Sequence, residues 1–199
     1  MDKKIVIFAS GNGSNAENII KYFQKTKIAE VILVLSNNKH AKVLERAKAL
    51  QVDARFFSKK ELLDKNGVLQ ILNRIEPDLI VLAGFLLKFP EIIIDRYPNK
   101  IINIHPALLP KYGGKGMYGN YVHEAVIENQ ESESGISIHY VNEAYDEGAI
   151  ILQKKVAVSA EDTPETLAQK IHTLEYAWFP KAIEGLLLQP NSNTNKTAK

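Results

Sequence analysis

The sequence contains no cysteine. This absence excludes disulfide scaffolds, cysteine-ligated zinc and iron–sulfur sites, and catalysis by a thiol. No apolar run approaches the ~20 residues that a membrane-spanning helix needs. Neither sign of charge dominates, because 25 Lys and Arg residues stand against 23 Asp and Glu residues, for a formal net charge of +2. We therefore expect no broad electrostatic surface for nucleic acid or for an acidic membrane.

The length and the amino-terminal sequence indicate one globular domain. A chain of 199 residues falls within the ~100–200 residues that are usual for a single domain. The apolar stretch Ile5–Phe8 follows the polar start of the chain directly and is too short for a signal peptide. We expect a cytoplasmic protein with one domain over residues 1–190 and a polar, disordered tail over residues 191–199.

Short β-branched runs alternate with longer helical patterns through residue 105, which predicts βαβ units and an open α/β sheet. Several of the runs are almost continuously apolar, as in strands that are covered on both faces. The predicted strands of this part are Lys4–Ser10, Glu30–Ser36, Ala54–Phe57, Asp78–Ala83 and Lys100–His105. The predicted helices of the whole chain are Ala16–Gln24, Ala41–Leu50, Lys60–Ile75, Pro90–Arg96, His123–Asn129 and Pro164–Gly185.

The pattern changes beyond residue 130. The predicted strands Gly135–Val141 and Ala149–Val156 are separated by the short segment Asn142–Gly148. This segment is too short for a helical crossover, so the two strands are expected to form an antiparallel pair. The fold class is thus α/β, with an open, mostly parallel twisted sheet, helices on both faces and an antiparallel strand pair toward the carboxyl terminus.

A glycine-rich segment, Ser10–Asn15 (SGNGSN), joins the first strand to the first helix. Glycines allow a tight turn with free backbone N–H groups, and the helix terminus adds positive partial charge, so the segment is suited to hold a phosphate. A dinucleotide site usually has a carboxylate at the end of the second strand, but Ser36–Asn38 has none. The segment therefore favours a phosphate monoester; the alternative is an ordinary strand-to-helix turn.

Asn103 and His105 share one face of the fifth predicted strand and lie at its carboxyl end, where ligands bind in open α/β sheets. An amide beside an imidazole is a pair that can stabilise an oxyanion. The alternative for His105 is a structural histidine. Asp146 lies in a tight acidic loop, which is either a simple turn or, if it folds back, a carboxylate that favours protonated His105.

Two further features complete the residue-level analysis. The segment Lys111–Gly119 contains four glycines and is either a mobile lid beside the site or a passive connection. The sequence contains neither an H-E-x-x-H motif nor a carboxylate cage, so we expect no metal site.

Four segments, in their order and spacing, resemble the phosphoribosylglycinamide formyltransferase family of folate-dependent enzymes. They are Ser10–Asn15 (SGNGSN), Ala83–Phe85 (AGF), Asn103–Pro110 (NIHPALLP) and Asp146–Gly148 (DEG). The resemblance covers about residues 4–188 and implies a Rossmann-like formyltransferase fold. The Asn-x-His-Pro-x-Leu-Leu-Pro pattern belongs to the wider superfamily, so another folate-dependent formyltransferase is an alternative.

The resemblance implies transfer of a formyl group from 10-formyltetrahydrofolate to the amine of 5-phosphoribosylglycinamide, in purine biosynthesis. It implies that the amine attacks the formyl carbon directly. By the matching motifs, Asn103 and His105 stabilise the oxyanion, His105 also donates a proton, and Asp146 keeps His105 protonated. The implied partners are these two small molecules, with no nucleic acid, membrane or metal, and the protein is expected to be a monomer or a homodimer.

The resemblance also implies binding residues. Gly13, Ser14 and Asn15 match positions that hold the substrate phosphate, and Glu175 matches the carboxylate that recognises the glycinamide end. The positions matched to the folate site are Lys60, Leu86, Leu87, Lys88, Phe89 and Asn103. Asn103 is thus matched both to a catalytic role and to folate binding. Lys59 is the alternative to Lys60 for contact with the folate glutamate.

The chain departs from the family pattern at Ala107, where Ser is usual, and at Leu87 and Lys88, where an Arg-containing segment is commoner. Two other function classes compete with the transferase. A non-catalytic nucleotide-binding regulator would need the glycine-rich segment but not Asn103, His105 and Asp146 together. A nicotinamide-dependent oxidoreductase is disfavoured by the missing acidic residue after Ser36.

Overall fold

A computed structural model describes residues 3–189. It contains one seven-stranded sheet with the strand order β3-β2-β1-β4-β5-β6-β7. The strands are β1 (Lys3–Phe8), β2 (Ala29–Ser36), β3 (Asp53–Phe56), β4 (Leu79–Leu82), β5 (Ile101–His105), β6 (Glu133–Tyr140) and β7 (Ile150–Ala157). The pairs among β1–β5 are parallel, whereas β5–β6 and β6–β7 are antiparallel. The predicted fold class is confirmed; the predicted tail, residues 191–199, lies outside the described residues.

Helices cover both faces of this sheet. They are α1 (Ser14–Thr26), α2 (Lys42–Ala49), α3 (Lys59–Leu63), α4 (Val68–Ile75), α5 (Glu91–Arg96), α6 (Asn120–Glu128) and α7 (Pro164–Leu188). The last helix begins as its sequence predicts, with Pro164 in the first turn and Thr163 as the cap. Within residues 3–189, no helix is long and apolar enough to cross a membrane.

The single helix predicted over Lys60–Ile75 is wrong. Helix α3 begins at a capping box in which Ser58 and Glu61 bond to each other's backbone N–H groups. The chain then turns, with Gly67 N–H donating to the Asp64 carbonyl, before α4 begins. A Cβ on Gly67 would lie 2.0 Å from the Glu61 carbonyl oxygen, so only glycine allows this close approach. Helix α6 also begins three residues earlier than predicted, which places His123 in its first turn.

The sheet divides the hydrophobic core in two because successive strand side chains point to opposite faces. Along β1, Ile5 and Ile7 belong to one cluster, with α1 and α7, while Val6 and Phe8 belong to the other, with α4 and α5. All four of these side chains are fully buried. The parallel strands are therefore held from both sides, and their carboxyl ends form one fixed edge.

We expect Phe8→Ala to lower the unfolding free energy of the protein strongly, because Phe8 packs at this edge of the sheet. The Phe8 ring contacts Phe57, Phe85 and Phe89 edge to face, with ring centroids 5.8, 5.5 and 5.1 Å away. Removing a fully buried phenylalanine side chain typically costs about 3–5 kcal/mol of unfolding free energy. Urea denaturation of the wild type and the variant measures the difference, and a loss of under about 1 kcal/mol would show that the cluster is loosely packed.

Candidate active site

A cavity of about 560 Å³ opens at the carboxyl edge of the sheet, where β1, β4 and β5 end. Its walls include the glycine-rich segment, the turn after β4, the end of β5 and residues of α6 and α7. A smaller pocket of about 70 Å³ adjoins it. The two share the side chains of Phe85, Asn103, Tyr145 and Asp146. Two molecules bound in these spaces would therefore meet at Asn103 and Asp146.

The glycine-rich segment forms one end of the large cavity. Gly13 precedes α1 with φ of 75°, and no side chain in the described part of the chain caps this helix. The first N–H groups of α1 therefore remain available to an anion. A Cβ on Gly13 would lie 2.3 Å from Cγ2 of Val43, so α2 packs directly against the turn. The segment has the shape and the partial charge of a phosphate site.

Ser10 connects this segment to the neighbouring strand ends. Its hydroxyl donates to Oδ1 of Asn37 at 2.6 Å and accepts from the Leu86 N–H group at 2.9 Å. The Ser10 N–H group donates to the Gly84 carbonyl at 3.0 Å. These bonds hold the ends of β1, β2 and β4 in one arrangement.

The structure brings Asn103, His105 and Asp146 together, although Asp146 is distant from both in sequence. Asp146 Oδ2 lies 3.5 Å from Nδ1 of His105, and its Oδ1 accepts from Nδ2 of Asn103 at 3.4 Å. The Asp146 loop returns to the edge because β6 and β7 run antiparallel beside β5. Only 3 % of His105 is exposed. The three side chains form an amide–imidazole–carboxylate cluster in which His105 is buried and Asn103 and Asp146 are partly exposed to the cavity.

His139 also belongs to this cluster and was missed by the sequence analysis. It pairs with Asn103 across β5 and β6, and its Nε2 lies 3.2 Å from Nδ2 of Asn103 and 3.6 Å from Oδ1 of Asp146. Its Nδ1 donates to the Tyr140 carbonyl at 2.9 Å, and this bond orients Nε2 toward Asn103 and Asp146. The strand register, which the sequence does not specify, places His139 there.

Burial lowers the pKa of His105 below its ordinary value. The Asp146 charge and the Tyr112 carbonyl raise this pKa but do not outweigh the loss of hydration. Burial raises the pKa of Asp146, yet contacts with His139, His105 and the Gly114 N–H group outweigh it, and the net pKa is lowered. Asp146 thus favours the protonated form of His105 against the effect of burial, and the expectation that it keeps the ring protonated in the reaction stays a prediction.

Glu175 is buried beside the glycine-rich segment, with 5 % of the residue exposed. Its Oε2 accepts from Nδ2 of Asn15 at 2.9 Å and from Nδ1 of His172 at 2.8 Å. The bond to Glu175 raises the pKa of His172. Helices α1 and α7 thus bring Asn15 and Glu175 together at the end of the glycine-rich segment.

His123 and His172 line the cavity as well, and the sequence analysis had assigned neither to the site. His123 is buried on α6, and among residues 3–189 its Nδ1 has no hydrogen-bond partner. Burial lowers the pKa of His123, and its Nδ1 is available for a hydrogen bond with a ligand. Both positions depend on the packing of α6 against α7, for which the sequence has no local signal.

The segment after β4 supplies the residues expected at the folate site. Leu86 lines the large cavity, while Leu87, Lys88 and Phe89 line the adjoining pocket. Lys60 is an exposed residue of α3 and, among the described residues, is not part of either wall. In the part of the chain that the structure describes, no group of three His, Asp or Glu side chains could hold a metal ion.

Residues 3–183 match the model of the Formyl transferase family, and the chain belongs to that family. It is 37% identical to phosphoribosylglycinamide formyltransferase of Bacillus subtilis over 93% of this chain and 95% of the relative. It is 36% identical to the chloroplastic enzyme of that name from Arabidopsis thaliana, of whose length it spans 64%. The solved structure of phosphoribosylglycinamide formyltransferase from Bacillus halodurans aligns with a TM-score of 0.84, at 36% identity, over 94% of this chain and 96% of that one.

We expect Asp146→Asn to lower the pKa of His105 further. The substitution removes the charge that opposes burial and keeps the size of the side chain. NMR titration of the His105 ring in both proteins measures the shift. An unchanged titration midpoint would mean that Asp146 has no electrostatic effect on the ring.

Proposed function

We propose that this protein transfers a formyl group from 10-formyltetrahydrofolate to the amine of 5-phosphoribosylglycinamide. The products are the N-formyl ribonucleotide and tetrahydrofolate, as in the cytoplasmic synthesis of purines. The observation that carries the proposal is the cluster of Asn103, His105 and Asp146 at the junction of two cavities. The similarity to phosphoribosylglycinamide formyltransferases over most of the chain supports this choice of substrates.

The ribonucleotide occupies the large cavity in this proposal. Gly13, Ser14 and Asn15 bind its phosphate through backbone N–H groups at the start of α1, which favour a compact dianion. Glu175 recognises the glycinamide end. Its carboxylate is held by Asn15 and His172, so it is fixed before a substrate arrives.

The folate occupies the adjoining pocket. Leu87, Lys88 and Phe89 line this pocket, and Leu86 lines the large cavity beside it, so that the apolar side chains of Leu86, Leu87 and Phe89 and main-chain groups of the segment are available to the pterin. Asn103 contacts the formyl group because it lines both spaces. Lys60, if it contacts the folate glutamate, does so outside these two cavities.

The reaction is a direct attack of the amine on the formyl carbon, which forms a tetrahedral oxyanion. Asn103 donates an N–H bond to that oxygen in place of its long, 3.4 Å bond to Asp146. The amine loses a proton through water to Asp146, Asp146 passes it to Nδ1 of His105, and His105 delivers it to the folate nitrogen that leaves. The step balances, because the proton that leaves the amine is the one that reaches the folate, and Asp146 and His105 return to their starting states.

The electrostatics around His105 support this step. Burial lowers the pKa of the ring, whereas the Asp146 charge raises it and favours the protonated form. The protonated ring and the Asn103 N–H group interact more strongly with the oxygen as its negative charge develops, and interactions that strengthen at this point lower the barrier.

Incubating the protein with glycinamide ribonucleotide and 10-formyl-5,8-dideazafolate tests the function directly, with absorbance reporting the deformylated folate. We expect Asn103→Ala and His105→Ala each to reduce kcat by at least ~10²–10³, the usual effect of removing one oxyanion donor. Thermal unfolding of each variant controls for loss of structure. Activity near that of the wild type would remove the residue concerned from the mechanism.

We expect Gly13→Val to abolish binding of the ribonucleotide while binding of a folate analogue is retained. Any Cβ at this position meets Val43, and the positive φ strains a branched residue. Calorimetric titration with each ligand separately measures both affinities. Unchanged affinity for the ribonucleotide in the folded variant would contradict the phosphate assignment.

A further inference from the structure

The turn that follows Pro110, Lys111–Gly114, contacts both members of the His105–Asp146 pair through its backbone. The Tyr112 carbonyl accepts from Nε2 of His105 at 2.7 Å. The Gly114 N–H group donates to Oδ2 of Asp146 at 3.0 Å. This is the same carboxylate oxygen that lies 3.5 Å from Nδ1 of His105. One short turn therefore holds the imidazole and the carboxylate in their relative positions.

The contact with Tyr112 determines which ring nitrogen of His105 carries the proton. A carbonyl oxygen only accepts hydrogen bonds, so Nε2 must carry a hydrogen. In the neutral ring, Nδ1 then has the lone pair and lies toward Asp146. Nδ1 is consequently the atom that gains and loses a proton during catalysis, and Nε2–H is bound to the turn throughout.

The backbone of Tyr112 needs support to hold this position. Its φ is 57°, in the left-handed region that is unfavourable for residues with a Cβ. The Tyr112 hydroxyl donates to Oε1 of Glu131 at 2.9 Å, and Lys111 Nζ bonds to the same oxygen at 2.8 Å. Glu131 lies three residues beyond the end of α6, and its N–H group donates to the Val126 carbonyl of that helix. The side chain of Tyr112 is thus fixed to α6 while its carbonyl faces the catalytic ring.

We propose that Tyr112 and Glu131 are positioning residues that set the tautomer of His105 and keep its Nδ1 opposite Asp146. This inference rests on the proposed function, because it assumes that His105 transfers a proton. It adds that the hydrogen bond between Tyr112 and Glu131, which lies outside the cavity wall, sets the tautomer of the His105 ring inside the cavity. Neither side chain touches the substrates in this proposal.

Tyr112→Phe is the main test because it removes only the hydroxyl and keeps the ring in the core. Glu131→Ala removes the acceptor of the same bond. Glu131→Gln keeps an oxygen that can accept from Tyr112 and should lose less activity than Glu131→Ala. The matched control is Tyr22→Phe, which removes a similar bond from Tyr22 to Glu184, at 2.6 Å, between α1 and α7.

We expect Tyr112→Phe and Glu131→Ala each to lower kcat on the order of tenfold, the scale of one hydrogen bond to a charged group. KM for both substrates should stay within about twofold of the wild type, because the binding residues are unchanged. The double variant should be no slower than either single variant, since both remove the same bond. Tyr22→Phe should leave kcat and KM unchanged.

Nitrogen-15 NMR of His105 provides a readout that does not depend on turnover. The wild type should show a protonated Nε2 and an unprotonated Nδ1 at neutral pH, and Tyr112→Phe should mix the two tautomers. An unchanged tautomer or an unchanged kcat in Tyr112→Phe overturns the inference. The proposed function fails separately, if His105→Ala remains active, so the two failures are distinguishable.

Discussion

The contact between Asp146 and His105 is the interaction on which the site depends. His105 ends a parallel strand, and Asp146 reaches it only because β6 and β7 run back along the same sheet. The carboxylate then lies 3.5 Å from the buried ring. Asp146 lines both cavities, and the glycine-rich segment and Glu175 line the larger one with it.

The electrostatic state of the pair follows from burial. Loss of hydration lowers the pKa of His105 and the nearby carboxylate raises it, while the contacts that Asp146 makes with its neighbours lower its own pKa. Such a site stabilises a new negative charge that forms between its donors.

The sequence predicts well where the strands lie along the chain and which segments carry the site residues, because apolar runs and glycine turns are local signals. The glycine-rich segment, Asn103, His105 and the antiparallel pair could all be located in this way. The break at Gly67 could not, since the apolar periodicity of Lys60–Ile75 continues through it. Placing His139 in the site requires the register of β5 against β6, and placing His123 there requires the packing of α6 against α7. The direction of the His105 pKa shift depends on how deeply the ring is buried, and only the folded chain determines that.

Following a ¹³C-labelled formyl group by NMR tests the central claim most directly. The protein would be mixed with labelled 10-formyltetrahydrofolate and 5-phosphoribosylglycinamide, and the product carrying the label would be identified. A direct transfer predicts that the label appears as the amide of the ribonucleotide, with no free formate. Release of labelled formate, or label remaining on the folate in the presence of both substrates, would contradict the account.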